Sequence, residues 1–236
     1  MLSNEECKQA IKNWKKSRGN FEEVKNLIDP SAIFKFTENN CKWIKENNDN
    51  ENFHCYVGVH NNILILIVMP LDKDGKEKIQ LDQYLTTPLT DITEEITLIQ
   101  IDVVTTVSKA RLSRNLEIMK KSKDVFFPTF NEPDITLKES LKDIEKWKNE
   151  CLEWFGYMTS SKSKRKKIFR AFSVPSADLE REDEKDGEVV ALFGFKKSYI
   201  YKTQLPILIF VTTEMETSNR EIIASSKNQE LSSTNS

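Results

Sequence analysis

The apolar residues of this chain fall into two stretches that read alike. In the first, Cys7, Ala10, Ile11 and Trp14 recur at the spacing of one helical face. Ser3 and Glu6 stand before them as a capping box: the hydroxyl accepts from the third helical N–H while the carboxylate reaches back to the cap. Arg18-Gly19-Asn20 stops that helix, and Phe21, Val24, Leu27 and Ile28 form a second short stripe closed by Asp29-Pro30. The pattern then predicts a short strand over 32–36 and a helix over 37–46 with Cys41 and Ile44 inward. A hairpin follows, from Phe53–His60 and Ile63–Met69 around Asn61-Asn62, because Asn tolerates the positive φ of a type I′ turn. The unbroken apolar run of the return strand predicts burial on both faces.

The same succession begins again at Thr136 and Glu139, another capping box, with Leu141, Ile144, Trp147, Cys151, Leu152 and Phe155 inward. Trp14 echoes Trp147. Ile33-Phe34-Lys35 echoes Ile168-Phe169-Arg170, Val57-Gly58-Val59 echoes Phe193-Gly194-Phe195, and Ile65-Leu66-Ile67 echoes Ile207-Leu208-Ile209. The spacing between partners only grows along the chain, as longer loops in the second stretch would cause. It far exceeds the roughly 20–50 residues of solenoid repeats. The expectation is an α+β fold of internally duplicated helix/β-hairpin half-domains, with an antiparallel sheet and helices packed on one face. The expected organisation is a first half-repeat over 1–89, a strand/helix connector over 90–135, a second half-repeat over 136–215 and a disordered tail over 216–236, too poor in apolar residues to offset the entropy of ordering.

Between the echoes, Asp72–Gly75 reads as a turn and 78–85 as a strand, broken by Thr86-Thr87-Pro88 and extending the sheet at an edge. Residues 97–104 alternate as a half-exposed strand, and 108–121 carry Leu112, Leu116 and Met119 at helical spacing. Residues 125–133 read as an aromatic-anchored connector. In the second stretch, 160–167 read as a polar basic loop, 168–172 as the short strand, Pro175-Ser176 as the start of a short helix, and 181–188 as a charged turn. Strands over 188–195 and 207–213 would be joined by a longer loop holding Tyr199, Tyr201 and Pro206.

Composition narrows the function classes. Of 236 residues, 35 are Lys or Arg and 37 are Asp or Glu. A net charge of -2 gives no whole-chain field toward nucleic acid or an anionic membrane. No apolar run approaches the roughly 18 residues of a membrane span. The N-terminal residues lack a basic segment before an apolar one, so no signal peptide is expected. Cys7, Cys41, Cys55 and Cys151 show no C-x-x-C spacing and read as reduced thiols. The expected location is the cytoplasm.

Candidate chemistry is sparse. His54 and His60 share a strand face but lie about 20 Å apart at roughly 3.3 Å per residue, too far for one ion, and read as solvent-facing polar residues. Trp14 and Trp147, equivalent in the two stretches, read as packing residues. There is no phosphate-binding glycine loop and no nucleophile elbow. The one concentrated basic patch is Lys162, Lys164, Arg165, Lys166 and Lys167, with Arg170 beyond it. It lacks the interleaved aromatics of single-strand binders and is answered by acidic residues between Asp178 and Glu188. No catalytic, metal or cofactor residue is assigned, and no cofactor is expected. The expected function is a non-enzymatic protein-interaction or scaffold module with a protein partner or self-association. The alternatives are a nucleic-acid- or phosphate-binding protein using 162–170, which the acidic stretch disfavours, and an enzyme with a site between the halves.

Overall fold

The computed structural model describes residues 1–93, 96–102, 106–125, 136–179, 186–198 and 203–214. After a two-residue strand β1 (Leu2–Ser3), helix α1 (Asn4–Ser17) starts at the expected box. Glu6 takes the Ser3 N–H at 2.9 Å, and the Ser3 hydroxyl accepts from the Glu6 N–H. Then come α2 (Phe21–Leu27), β2 (Ile33–Phe36), α3 (Glu38–Asn47), β3 (Asn52–His60) and β4 (Ile63–Met69). Asn61 and Asn62 both adopt positive φ, 50° and 61°, so the β3–β4 turn is the one their side chains permit. The connecting region holds β5 (Gln83–Tyr84), β6 (Thr86–Thr90), β7 (Ile96–Asp102), β8 (Thr106–Leu112) and β9 (Ile118–Val125). The last part holds α4 (Leu137–Thr159), α5 (Lys162–Arg165), β10 (Ala171–Pro175), a 3₁₀ turn (Ser176–Leu179), β11 (Asp186–Ser198) and β12 (Thr203–Glu214).

The fold is α+β with antiparallel sheets. The main sheet has seven strands in the order β10-β3-β4-β6-β2-β11-β12; β7-β8-β9 form a separate three-stranded meander. The pairing is reciprocal. β10 from the later segment pairs with β3 of the earlier hairpin, and β2 from the earlier segment pairs with β11 of the later one. Gly58 faces Ile65 across β3–β4 as Gly194 faces Ile207 across β11–β12.

Following the register from strand to strand places Gly58, Ile65, Ile33, Leu192 and Gly194 on one face. Helices α1 and α4 cross that face at the two glycines. A Cβ on Gly58 would lie 3.0 Å from the Ala10 Cβ, and one on Gly194 would lie 3.4 Å from the Asp143 Cβ. The other face carries the main core: Phe34, Phe36, Phe53, Val57, Leu66, Phe193 and Phe195, with Val24 of α2, Ile44 of α3 and Phe155 of α4. Each helix also tucks its tryptophan into this cluster; Trp14 and Trp147 are both buried. Burying one such side chain contributes about 1.5–3 kcal/mol, so the aromatic cluster outweighs any single polar contact.

The sheet curls around that cluster. The rings of Phe172 on β10 and Phe193 on β11 lie 6.2 Å apart, although β3, β4, β6 and β2 separate the two strands. In a flat sheet five strand spacings would hold them about 24 Å apart.

Several sequence expectations change. Residues 108–121 are not a helix but the β8–β9 hairpin. The apolar spacing arises because Leu112 and Leu116 meet through a tight turn, with Leu116 at φ 58° and both side chains buried. Of residues 78–85, only Gln83–Tyr84 is strand. β6, expected as a break, is the strand that joins β4 to β2 in the middle of the sheet, and not at an edge. Pro88 has no N–H to give β2. The buried Thr87 hydroxyl instead donates to the Lys35 carbonyl at 2.8 Å, which is how a proline is tolerated between two strands. The later short strand begins at Ala171, not Ile168. The last hairpin is longer than expected, with Pro206 inside β12. The expected connector over 125–133 and the tail over 216–236 lie, from residue 126 onward and throughout respectively, outside the described residues, as do 180–185 of the acidic stretch.

Candidate functional site

Two surfaces and one polar network stand out. The first surface is the outer edge of β12, which among the described residues forms ladder hydrogen bonds with β11 alone. From Thr203 to Thr213 it carries no charged residue. Leu205 is 38% exposed, and Ile207, Leu208, Phe210 and Val211 are half-buried. Proline fits a strand where its missing N–H would point away from the ladder. The position of Pro206 therefore turns the backbone groups of Leu208 and Phe210 outward as well, two and four residues on. The meander lies near β12, where Ile96 and Leu116 share a cluster with Ile209, but it adds no strand to the β12 ladder.

The second surface is the basic end. Lys162, Lys164 and Arg165 form the single turn α5, Lys166 caps it, Lys167 follows, and Arg170 precedes β10. Lys164 Nζ sits 3.5 Å from the centre of the exposed Tyr157 ring and donates to the Ser160 hydroxyl. Arg165 Nε donates to the Thr159 carbonyl at 2.7 Å. Lys162, Arg165, Lys166, Lys167 and Arg170 are exposed. None of these basic residues forms an ion pair with a described acidic residue. The fold adds Arg18 from the end of α1, only 7% exposed, with Nη1 hydrogen-bonded to the Ile168 carbonyl. Its sequence context, Arg18-Gly19-Asn20, signals only a helix stop. Burial first, and the charge of Arg170 second, hold the Arg18 guanidinium below its usual range.

The polar network lies on the outer side of β3. Glu77 accepts from the Tyr56 hydroxyl at 2.6 Å and lies 2.8 Å from His54 Nδ1 through the same oxygen. Burial, then Glu77, pushes the Tyr56 hydroxyl up to about 12, so it stays a donor. Both His54 and Glu77 are half-buried, and the network ties the 72–78 loop to the sheet. Ser173 stands opposite His54 in the β10–β3 register, with no hydrogen bond between the two side chains. Among the described residues no three His, Cys, Asp or Glu side chains converge as a metal site. None of the four cysteines is in a disulfide. Burial pushes the Cys7 thiol to about 11, Cys151 to about 12 and Cys55 higher still, so these are protonated at neutral pH.

Among the described residues, no helix is long and apolar enough to cross a membrane. Comparison with protein-family models, curated proteins and solved structures finds no match to this chain.

Proposed function

We propose that this chain is a non-enzymatic protein-interaction module, built from a duplicated α+β unit, that takes up a partner strand along β12. The observation that carries this reading is an unequal pair of edges. In the earlier half of the sheet, β10-β3-β4 is followed by β6; in the later half, no described strand follows β2-β11-β12. Ile65, Leu66 and Ile67 of β4 pair with Pro88, Thr87 and Thr86. Ile207, Leu208 and Ile209 hold the matching places on β12, each group facing its glycine-bearing strand. On β4 the Val68 N–H reaches outward to the Leu85 carbonyl at 2.9 Å. The corresponding N–H on β12 is that of Phe210, in agreement with the outward set that Pro206 implies.

An uncharged edge of this length is a template for strand addition. Main-chain bonds supply affinity in that mode, and alternate side chains supply selectivity. Pro206 withholds its own donor from that edge, which leaves the N–H groups of Leu208 and Phe210 to the partner.

The test is affinity capture from native lysate with the full chain and with Leu205→Lys, a charge of the kind that guards natural edges. Thermal melts confirm that both are folded. The expected result is a partner, or a second copy of the chain, retained by the wild type and lost by the variant. Amide exchange at Leu208 and Phe210 should slow in the complex. A partner that binds while leaving both amides at their free exchange rates would exclude β12 as the docking edge.

A further inference from the structure

We propose that Arg18, Arg165 and Arg170 form a binding site for a compact phosphate dianion, either free phosphate or the terminal group of a small phosphate monoester. The starting point is Arg18. A buried charge is costly unless it is paired and hydrogen-bonded. Arg18 is more than nine-tenths buried, yet its hydrogen-bond partner is a backbone carbonyl, that of Ile168. No described carboxylate lies within ion-pair distance of Arg18, Arg165 or Arg170. A guanidinium carries five N–H donors. The only described buried side-chain nitrogen or oxygen that is sealed from solvent and without a partner is Trp147 Nε1. The remaining donors of Arg18 therefore open on the small part of it that stays exposed.

Two further arginines stand on the segment that meets the end of α1 there. Arg165 passes beside Gly19, its Cδ 3.7 Å from where a Cβ would stand. Its Nε is held by the Thr159 carbonyl, which leaves the terminal nitrogens for a ligand. Arg170 follows the Ile168 carbonyl by two residues and is exposed. Its backbone is pinned where its own carbonyl accepts from the Val57 N–H at 2.8 Å. Its positive charge acts on Arg18. Like charges gathered without a carboxylate are stabilised by an anion that neutralises them together. Planar guanidinium forks match the oxygens of a phosphate better than they match a spherical ion. An extended nucleic acid fits less well: among the described residues the one strongly exposed aromatic of this end, Tyr157, is already covered by Lys164, and base stacking needs an open ring face.

The test is isothermal titration of the full chain with inorganic orthophosphate and, separately, phenyl phosphate, at constant ionic strength. The proteins are the wild type, Arg165→Gln, Arg170→Gln and Arg18→Gln. Saturable binding is expected, weakened about tenfold or more in each exposed-arginine variant, the effect of losing charge-assisted hydrogen bonds. Arg18→Gln is expected to abolish it; should that variant not fold, the two exposed variants decide the matter alone. Tighter binding of phenyl phosphate assigns the site to esters, and tighter binding of orthophosphate to the free anion. No saturable binding of either up to about 10 mM, or variants that bind as the wild type does, would overturn the proposal. So would single-stranded oligonucleotide binding that is lost when Lys162, Lys164, Lys166 and Lys167 become Gln but survives in Arg170→Gln.

Discussion

The indole N–H of Trp14 donates to the backbone carbonyl of Phe169 at 3.0 Å, joining the first helix to the chain just ahead of β10. Its ring also meets the Phe169 ring, centroids 5.7 Å apart. Trp147, at the matching place on α4, stacks on Phe193 at 4.7 Å, yet its own N–H is buried without a partner. The same residue thus fills the same kind of space twice with unequal polar satisfaction.

That inequality separates two substitutions. Trp14→Ala and Trp147→Ala should each destabilise the fold by about 3–5 kcal/mol. Trp14→Phe should cost about 1 kcal/mol more than Trp147→Phe, because only the former deletes a hydrogen bond and the latter removes a buried unsatisfied donor. Urea unfolding of the four variants checks this. Equal costs for the two phenylalanine variants would show that the Trp14–Phe169 bond contributes nothing net.

Gly58 and Gly194 should differ in what an added methyl does. At Gly58 the new Cβ would meet the Ala10 Cβ and Ile67 Cδ1, both at 3.0 Å, and the Ala10 backbone carbon at 3.3 Å. A helix backbone cannot step aside alone. At Gly194 the tightest contact, 2.7 Å, is with Ile209 Cδ1, the end of a side chain that can rotate. Gly58→Ala is therefore expected to destabilise by about 1–3 kcal/mol, the range of overpacking, and Gly194→Ala by less. Denaturant midpoints at equal slope would report it, and the reverse order would refute the assignment of α1 as the rigid neighbour.

The capping boxes predict a response to acid. Hydrogen bonds from the side chain and then the backbone of Ser3 hold Glu6 below its usual range, and Thr136 does the same to Glu139. A carboxyl whose folded value is depressed stabilises above its unfolded value, near pH ~4.3, and that contribution is lost as pH falls through the folded value. The double variant Glu6→Gln with Glu139→Gln should melt below the wild type at neutral pH, and the gap should close on acidification. A gap that stays constant from pH 7 down to pH ~3 would mean that the carboxylate charge is not what the caps use.

Contacts between near neighbours in the chain were legible in the residues alone. A capping box joins positions three apart, and the Asn61-Asn62 turn depends on the φ that two adjacent residues tolerate, so Ser3, Glu6, Thr136, Glu139 and the β3–β4 hairpin carry their structure locally. The spacing of Leu112, Leu116 and Met119 was ambiguous for the same reason. A helical interval also arises when a hairpin turn returns Leu116 to the side of Leu112, and it leaves Met119 56% exposed. Only the tertiary structure decides which long-range partners a strand takes. It gives β2 to the later hairpin and β10 to the earlier one, places β6 in mid-sheet with the Thr87 hydroxyl on the Lys35 carbonyl, and among the described strands pairs β12 with β11 alone. Arg18 shows the limit most clearly. Its neighbours in the chain mark only the end of a helix, and its bond to the Ile168 carbonyl exists because the fold brings the end of α1 to the segment ahead of β10. Such pairings depend on the summed burial of residues far apart in the chain, and no local window contains that sum.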